Sequence, residues 1–290
     1  MLKNEGAMMN HSSSTIAHDV FIKDEYPSGE QVNADKSVDN VLDLENGFSQ
    51  TENQTTKDET PKAPLHALIP KLTSGQQEAL KWLAITTMVI DHINGLLFHY
   101  GEPALLWIGR LAFPLFAFLI AYNLIVRSVK PTRYLYPLIF FAICTQPITY
   151  LVWNVWRGNI FMTLALGVLF VGLQRMAAKR MPVWLSYLFI AVFITFPAWH
   201  VDYGVYGVFL IPVIVFFLEH PRPLLLVGTS FYLLSVNTFA PYSVVPLLLI
   251  PIIYALTRLE IPLRRTNPWF FYLFYPVHLL VLEVIQRTIY

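Results

Sequence analysis

Residues Leu80 to Tyr100 read LKWLAITTMVIDHINGLLFHY. About 20 apolar residues are what a helix needs to cross the hydrocarbon of a bilayer, yet Asp91 and His92 stand near the middle of this run, with Asn94 just beyond. An ionisable group at mid-membrane costs about 2.5–3.5 kcal/mol on insertion scales, so both side chains are expected to face a bundle interior or a wet cavity. The run therefore predicts a transmembrane helix that carries a polar site within it.

The rest of the chain fits that setting. It is 55% hydrophobic and 13% charged, with a mean hydropathy of +0.50, the composition of a polytopic membrane protein. The net charge of +1 hides a division, because most acidic residues, from Glu5 to Glu59, precede Lys71, whereas the remainder is basic. The single cysteine, Cys144, lies in an apolar segment and forms no internal disulfide.

Residues 1–70 lack hydrophobic periodicity, are rich in Ser, Thr, Asn, Asp, Glu and Lys, and end in the proline-broken PKAPLHALIP. They read as a disordered, acidic cytoplasmic tail. The first thirty residues hold no apolar core of a cleavable signal, so insertion is expected to begin with the first spanning helix. From there the chain divides into about nine apolar segments (eight to ten spans): Leu80–Tyr100, Leu105–Val126, Tyr134–Trp153, Ile160–Ala177, Val183–Trp199, Gly204–Leu218, Leu224–Val236, Val244–Leu256 and Trp269–Ile289. The fold class expected is all-α, a transmembrane helix bundle over residues 71–290.

Every second loop is basic. Arg127, Lys130 and Arg133 follow the second segment, Arg175, Lys179 and Arg180 the fourth, Arg222 the sixth, and Arg258, Arg264 and Arg265 the eighth; the intervening loops carry almost nothing basic beyond Arg157. The positive-inside rule then predicts a cytoplasmic N-terminus and a C-terminus on the outer side. Topology alone explains the basic loops. They could also grip the phosphates of a cytosolic nucleotide-like donor, since Arg binds phosphate oxygens bidentately. With the loops so explained, no basic face is left for nucleic acid.

This topology places the polar residues at a common depth, between the membrane centre and its outer face: Asp91, His92, Arg110, Asn159, the turn His200, Asp202 and Tyr203, and His278. His92 is the candidate general base, because a neutral imidazole takes and passes a proton near neutral pH. The plain alternative is a buried histidine that only bonds another helix. Asp91 projects about 100° from His92 on a helix, so it is expected to pair with Arg110 rather than orient the imidazole. Arg110 is either that anchor or a donor to an oxyanion. Asn94 is helix glue or a substrate contact. His278, two residues after Pro276, could relay the proton or orient substrate. His200 and Asp202 are equally read as loop residues. The scattered histidines lack HExxH or paired-cysteine spacing, so no metal is expected. No Walker loop, GxGxxG or GxSxG is present.

Five pieces, LKWLAITTMVIDHI, IGRLAFPLFAFLIA, NIFMTLALG, VDYGVYGV and FYPVHLL, run in order from Leu80 to Leu280. Together they resemble the TraX family of conjugative plasmids, with a wider likeness to polytopic membrane acyltransferases. The resemblance implies a bacterial inner-membrane enzyme that acetylates the N-terminus of pilin, with acetyl-CoA as donor and the pilin subunit as protein partner. By motif it maps Asp91 and His92, Gly109 and Arg110, Asn159, Asp202 to Gly204, and Tyr275 to His278 onto the family's pattern. On that reading His92, Asp91, Arg110 and His278 are catalytic candidates and Asn94, Asn159, Asp202, Tyr203 and Tyr275 touch substrate. Arg127, Lys130, Arg133, Arg264 and Arg265 would meet the donor. Two other readings fit the same residues: a non-enzymatic pilin-handling scaffold or proton-coupled transporter, and an acyltransferase acting on a hydroxyl of another periplasmic acceptor.

Overall fold

The first helix of the structure, a computed structural model, starts at a reciprocal cap. The Thr73 hydroxyl accepts from the Gln76 N–H while the Gln76 side chain accepts from the Thr73 N–H, which launches α1 (Ser74–Leu97). The structure describes residues 71–237 and 242–289, so the acidic tail read in residues 1–70 lies outside the described residues.

Each of the nine apolar segments is helical. After α1 come α2 (Pro103–Gly109), α3 (Ala112–Ile125), α4 (Thr132–Trp153), α5 (Ile160–Ala177), α6 (Val183–Ala198), α7 (Gly204–Glu219), α8 (Pro223–Val236), a 3₁₀ stretch (Tyr242–Leu248) running into α9 (Leu249–Thr257), and α10 (Pro268–Ile289). The second segment departs from the expected single helix because it breaks at Arg110 and Leu111. Pro114 has no N–H for the Arg110 carbonyl, which would be its partner four residues back; that carbonyl instead accepts from the Asn237 side chain at 3.5 Å.

Four stretches among the described residues are long and apolar enough to cross a bilayer: Pro103–Ile125, Thr132–Trp153, Ile160–Ala177 and Pro268–Ile289. Shorter apolar helices cover Val183–Ala198, Gly204–Glu219, Pro223–Val236 and Ser243–Thr257. At 24 residues α1 has the length, but Asp91, His92 and Asn94 dilute its hydropathy. On the outside α6 bares Trp184, Leu188, Phe189, Val192, Phe193 and Phe196, a face suited to lipid and not to water. This is the make-up of a membrane protein.

Cross-links between loops define the two ends of the bundle. At one end Gln76 donates to the Leu259 carbonyl, Glu78 accepts from the Thr266 N–H, Arg127 reaches Ser74, and Arg175 pairs with Glu219 at 3.6 Å. The basic loops gather here. At the other end the 154–159 and 199–203 loops are joined by backbone bonds, Gly158 N–H to the His200 carbonyl and Asp202 N–H to the Gly158 carbonyl, both 2.8 Å. Asn94 closes the neighbouring loop there, donating to the Glu102 carbonyl and accepting from its N–H.

Gly75 shows how close the first of these ends is packed, because a Cβ there would run into the Ile261 carbonyl oxygen. Backbone cannot move aside as a flexible side chain does. Gly75→Ala is therefore expected to destabilise the protein by about 1–3 kcal/mol. Gly228→Ala, which meets open space, is the control. Thermal unfolding of the detergent-solubilised variants tests this: the first midpoint should fall and the second stay.

Candidate functional site

Asp91 and His92 of α1 look into a cavity of about 630 Å³ at the end away from the basic loops. Its walls come from α1 (Met88, Asp91, His92), the α2–α3 break (Arg110), the two joined loops (Arg157, Asp202, Tyr203) and α10 (Tyr275). One kink supplies Arg110, one loop pair supplies Asp202 and Tyr203, and α1 supplies His92, backed by His278 of the distant α10.

The histidines are hydrogen-bonded across α1 and α10. His92 Nδ1 lies 2.7 Å from His278 Nε2, and the rings stack with centroids 4.9 Å apart. His278 Nδ1 is 2.9 Å from the Phe274 carbonyl oxygen. A carbonyl only accepts, so Nδ1 of His278 carries the proton; in the neutral ring its Nε2 is then bare and accepts from the Nδ1–H of His92. The nitrogen left to His92 for the cavity is Nε2, without a proton. Tyr275 and Trp153 frame that ring at 5.8 and 6.2 Å between centroids.

Arg110 is the second fixed group. Its Nε lies 4.0 Å from Asp91 Oδ1, its guanidinium faces the Tyr203 phenol, and it sits 5.9 Å from the centre of the Tyr100 ring. Asp91 is pinned in turn against Gly109, where an added Cβ would come within 2.5 Å of its own Cβ and Oδ1. Tyr100 and Tyr203 both hold a left-handed backbone, with φ of 48–59° across His99, Tyr100 and Tyr203. Such strain persists where the surroundings impose it, and it clusters at functional sites. Burial, with Asp91 and Asp202 nearby, pushes the Tyr203 phenol well above its ordinary range, so it stays a neutral hydroxyl.

The remaining expected site residues separate. Asn159 lines the cavity, but its side chain is taken up by structure: it accepts from the Phe161 N–H to cap α5 and donates to the Ala142 carbonyl and Gln146. Asn94 is wholly buried in its loop clamp and does not line the cavity. Arg127, Arg133 and Arg265 gather around Tyr134 at the basic end. None of these three, nor Lys130 or Arg264, lines the cavity. His200 is exposed.

The cavity also uses Tyr100, Trp153, Arg157, Trp199 and Tyr206, which the sequence reading did not assign to it. Only Arg157 gave a signal, as the one basic residue in a set of loops otherwise without Lys or Arg. The aromatic residues looked like ordinary interface anchors.

Burial raises the Asp202 carboxyl to about 6, against a smaller opposing pull from Arg157. Between pH 4 and 6 the folded protein thus holds a proton that the unfolded chain has released, so this group's contribution to stability is lost as pH rises through that window. The difference amounts to about 2–3 kcal/mol. Asp202→Asn removes it: thermal midpoints measured from pH 4 to 8 should show the variant gaining on wild type as pH rises to about 6, then a constant lead.

The family model described as TraX protein matches residues 76–286. The chain is 28% identical over 237 residues, 70% of its length, to a Dichelobacter nodosus protein named "Probable fimbrial assembly protein FimC, serogroup H1", of which the alignment covers 92%. No solved structure matches.

Proposed function

The chain belongs to the TraX protein family, and from that premise we propose that it is a membrane acetyltransferase which transfers acetyl from acetyl-CoA to the N-terminal α-amine of pilin. The observation that carries the reading is the bond from His92 on the cavity wall to His278 behind it, which leaves His92 with a bare Nε2 where a substrate would sit. An α-amine has a pKa near 8 and must lose a proton before it attacks a thioester. His92 takes that proton. The nitrogen lone pair adds to the thioester carbonyl carbon, Arg110 stabilises the oxyanion, the C–S bond breaks, and the thiolate leaves as the thiol. Arg110 is suited to this because Asp91, Tyr100 and Tyr203 already fix its direction, so little reorganisation is needed.

The setting supports the same chemistry. On the positive-inside rule the chain sits in the bacterial inner membrane with the basic end in the cytoplasm, and the cavity mouth and C-terminus toward the periplasm. Acetyl-CoA would approach the Arg127, Lys130, Arg133, Arg264 and Arg265 end. The cavity lining runs inward as far as Phe271, one turn into α10 from that end, where the Lys81 ammonium stands 5.0 Å from the ring centre. The kinship with a protein named for fimbrial assembly favours a pilin as acceptor.

The test is direct. Purified protein in bilayer discs, incubated with labelled acetyl-CoA and a pilin N-terminal peptide, should place one acetyl group on the α-amine, located by fragment mass. Label on a hydroxyl side chain would change the acceptor class, and no label would leave a scaffold.

A further inference from the structure

Asp202 is held in the cavity wall by its backbone, not by its side chain. Its N–H donates to the Gly158 carbonyl at 2.8 Å and its carbonyl accepts from the Thr163 hydroxyl at 2.7 Å. The two joined loops thus fix where the residue stands. Its carboxylate is left over: among the described residues no ion pair within 4.0 Å takes it up, and Arg157 acts on it only from farther off. A half-buried carboxylate held rigidly on a cavity wall without an ion-pair partner is a ready station for a cation that enters the cavity.

The surroundings name the kind of cation. Arg110, the other cationic wall residue close by, stands beside Asp91 and the two phenols instead. Tyr203 and Tyr275 stand near enough to Asp202 to feel its charge, and Trp153, Trp199 and Tyr206 add aromatic surface to the same cavity. A carboxylate backed by aromatic faces is the chemistry that holds an organic ammonium. A hydroxyl acceptor is neutral and offers it a single hydrogen bond without the charge.

We propose that Asp202 is the specificity residue for the acceptor: it binds a primary ammonium in the cavity and so selects amines over hydroxyls. The inference rests on the transferase reading and deepens it. Tyr275 links the two stations, since its ring lies 5.8 Å from that of His92 and it also senses Asp202. The bound ammonium gives one proton to His92 Nε2, which returns it to solvent. The freed lone pair attacks the thioester, the C–N bond forms, the C–S bond breaks, and the second proton goes to the thiolate. The balance is one amide, one thiol and one released proton per ammonium consumed.

The experiment uses the intact protein in bilayer discs, acetyl-CoA, and two peptides of one sequence, one ending in an α-amine and the other in an α-hydroxyl. Wild type should favour the amine. Asp202→Asn should raise the KM for the amine about tenfold or more, with kcat little changed and the hydroxyl peptide unaffected, and Asp202→Glu should recover most of the loss. The stability gain expected above pH 6 certifies that the Asn variant is folded. If Asp202→Asn shifts both peptides alike, or neither, the selection role is wrong while the transferase stands. If wild type modifies neither peptide, the transferase reading falls and takes this inference with it.

Discussion

Replacing His92 with alanine is expected to cut acetyl transfer by about 10²- to 10⁴-fold without removing the protein from the membrane. The size follows from the role. His92 offers the cavity its unprotonated Nε2, held there because Nδ1–H is spent on His278 Nε2 at 2.7 Å. At neutral pH the acceptor amine is mostly protonated, so a site without that base waits for the rare neutral amine and for a water to carry the proton away. The variant also tests structure against chemistry. His92→Gln can still donate to His278 and fills similar space, yet has no basic nitrogen. Equal failure of Ala and Gln, measured as initial rates at matched membrane levels, assigns the loss to the base; a near-normal rate for Gln would reduce His92 to a structural bond.

The second large effect is expected at His278, which does not itself line the cavity. His278→Phe keeps the ring volume among Phe274 and Tyr275, with which it packs at 5.1 and 5.6 Å, but removes the acceptor that fixes the His92 tautomer. Nε2 of His92 is then free to carry the proton, and the ring turns. A loss of about a hundredfold or more in kcat, with KM for the acceptor held, is the signature of a group that orients a base without touching substrate. His278→Gln, whose side-chain oxygen accepts a bond, should recover part of it. A rise in KM with kcat intact would place His278 in contact with substrate instead.

The membrane helices were legible because hydropathy and charge answer to the bilayer directly. Leu80–Tyr100 announced a helix with polar residues set in an apolar run, and the basic loops marked one end of the bundle. The break at Arg110 was half legible: Pro114 stands in the sequence, but its consequence depends on Asn237, 127 residues away, reaching the freed carbonyl. The pairing of His92 with His278 spans 186 residues and follows from how α1 packs on α10, which no local pattern encodes. Asn94 and Asn159 were expected to touch substrate, yet their amides bond backbone groups of loops and helix ends and, for Asn159, the Gln146 side chain. Polarity in a membrane sequence says that a side chain must be satisfied; it does not say by what. Tyr100 and Trp199 drew no notice, because an aromatic residue at a helix end is ordinary in a membrane protein until a cavity is found beside it.

The central claim is that this chain moves an acetyl group onto pilin by means of His92. Its most direct measurement is the intact mass of the cognate pilin from cells carrying the wild-type chain, no chain, or His92→Ala, with the two proteins at matched membrane levels. The account predicts one added acetyl group with wild type alone, on the N-terminal amine. The same pilin mass in all three would contradict it.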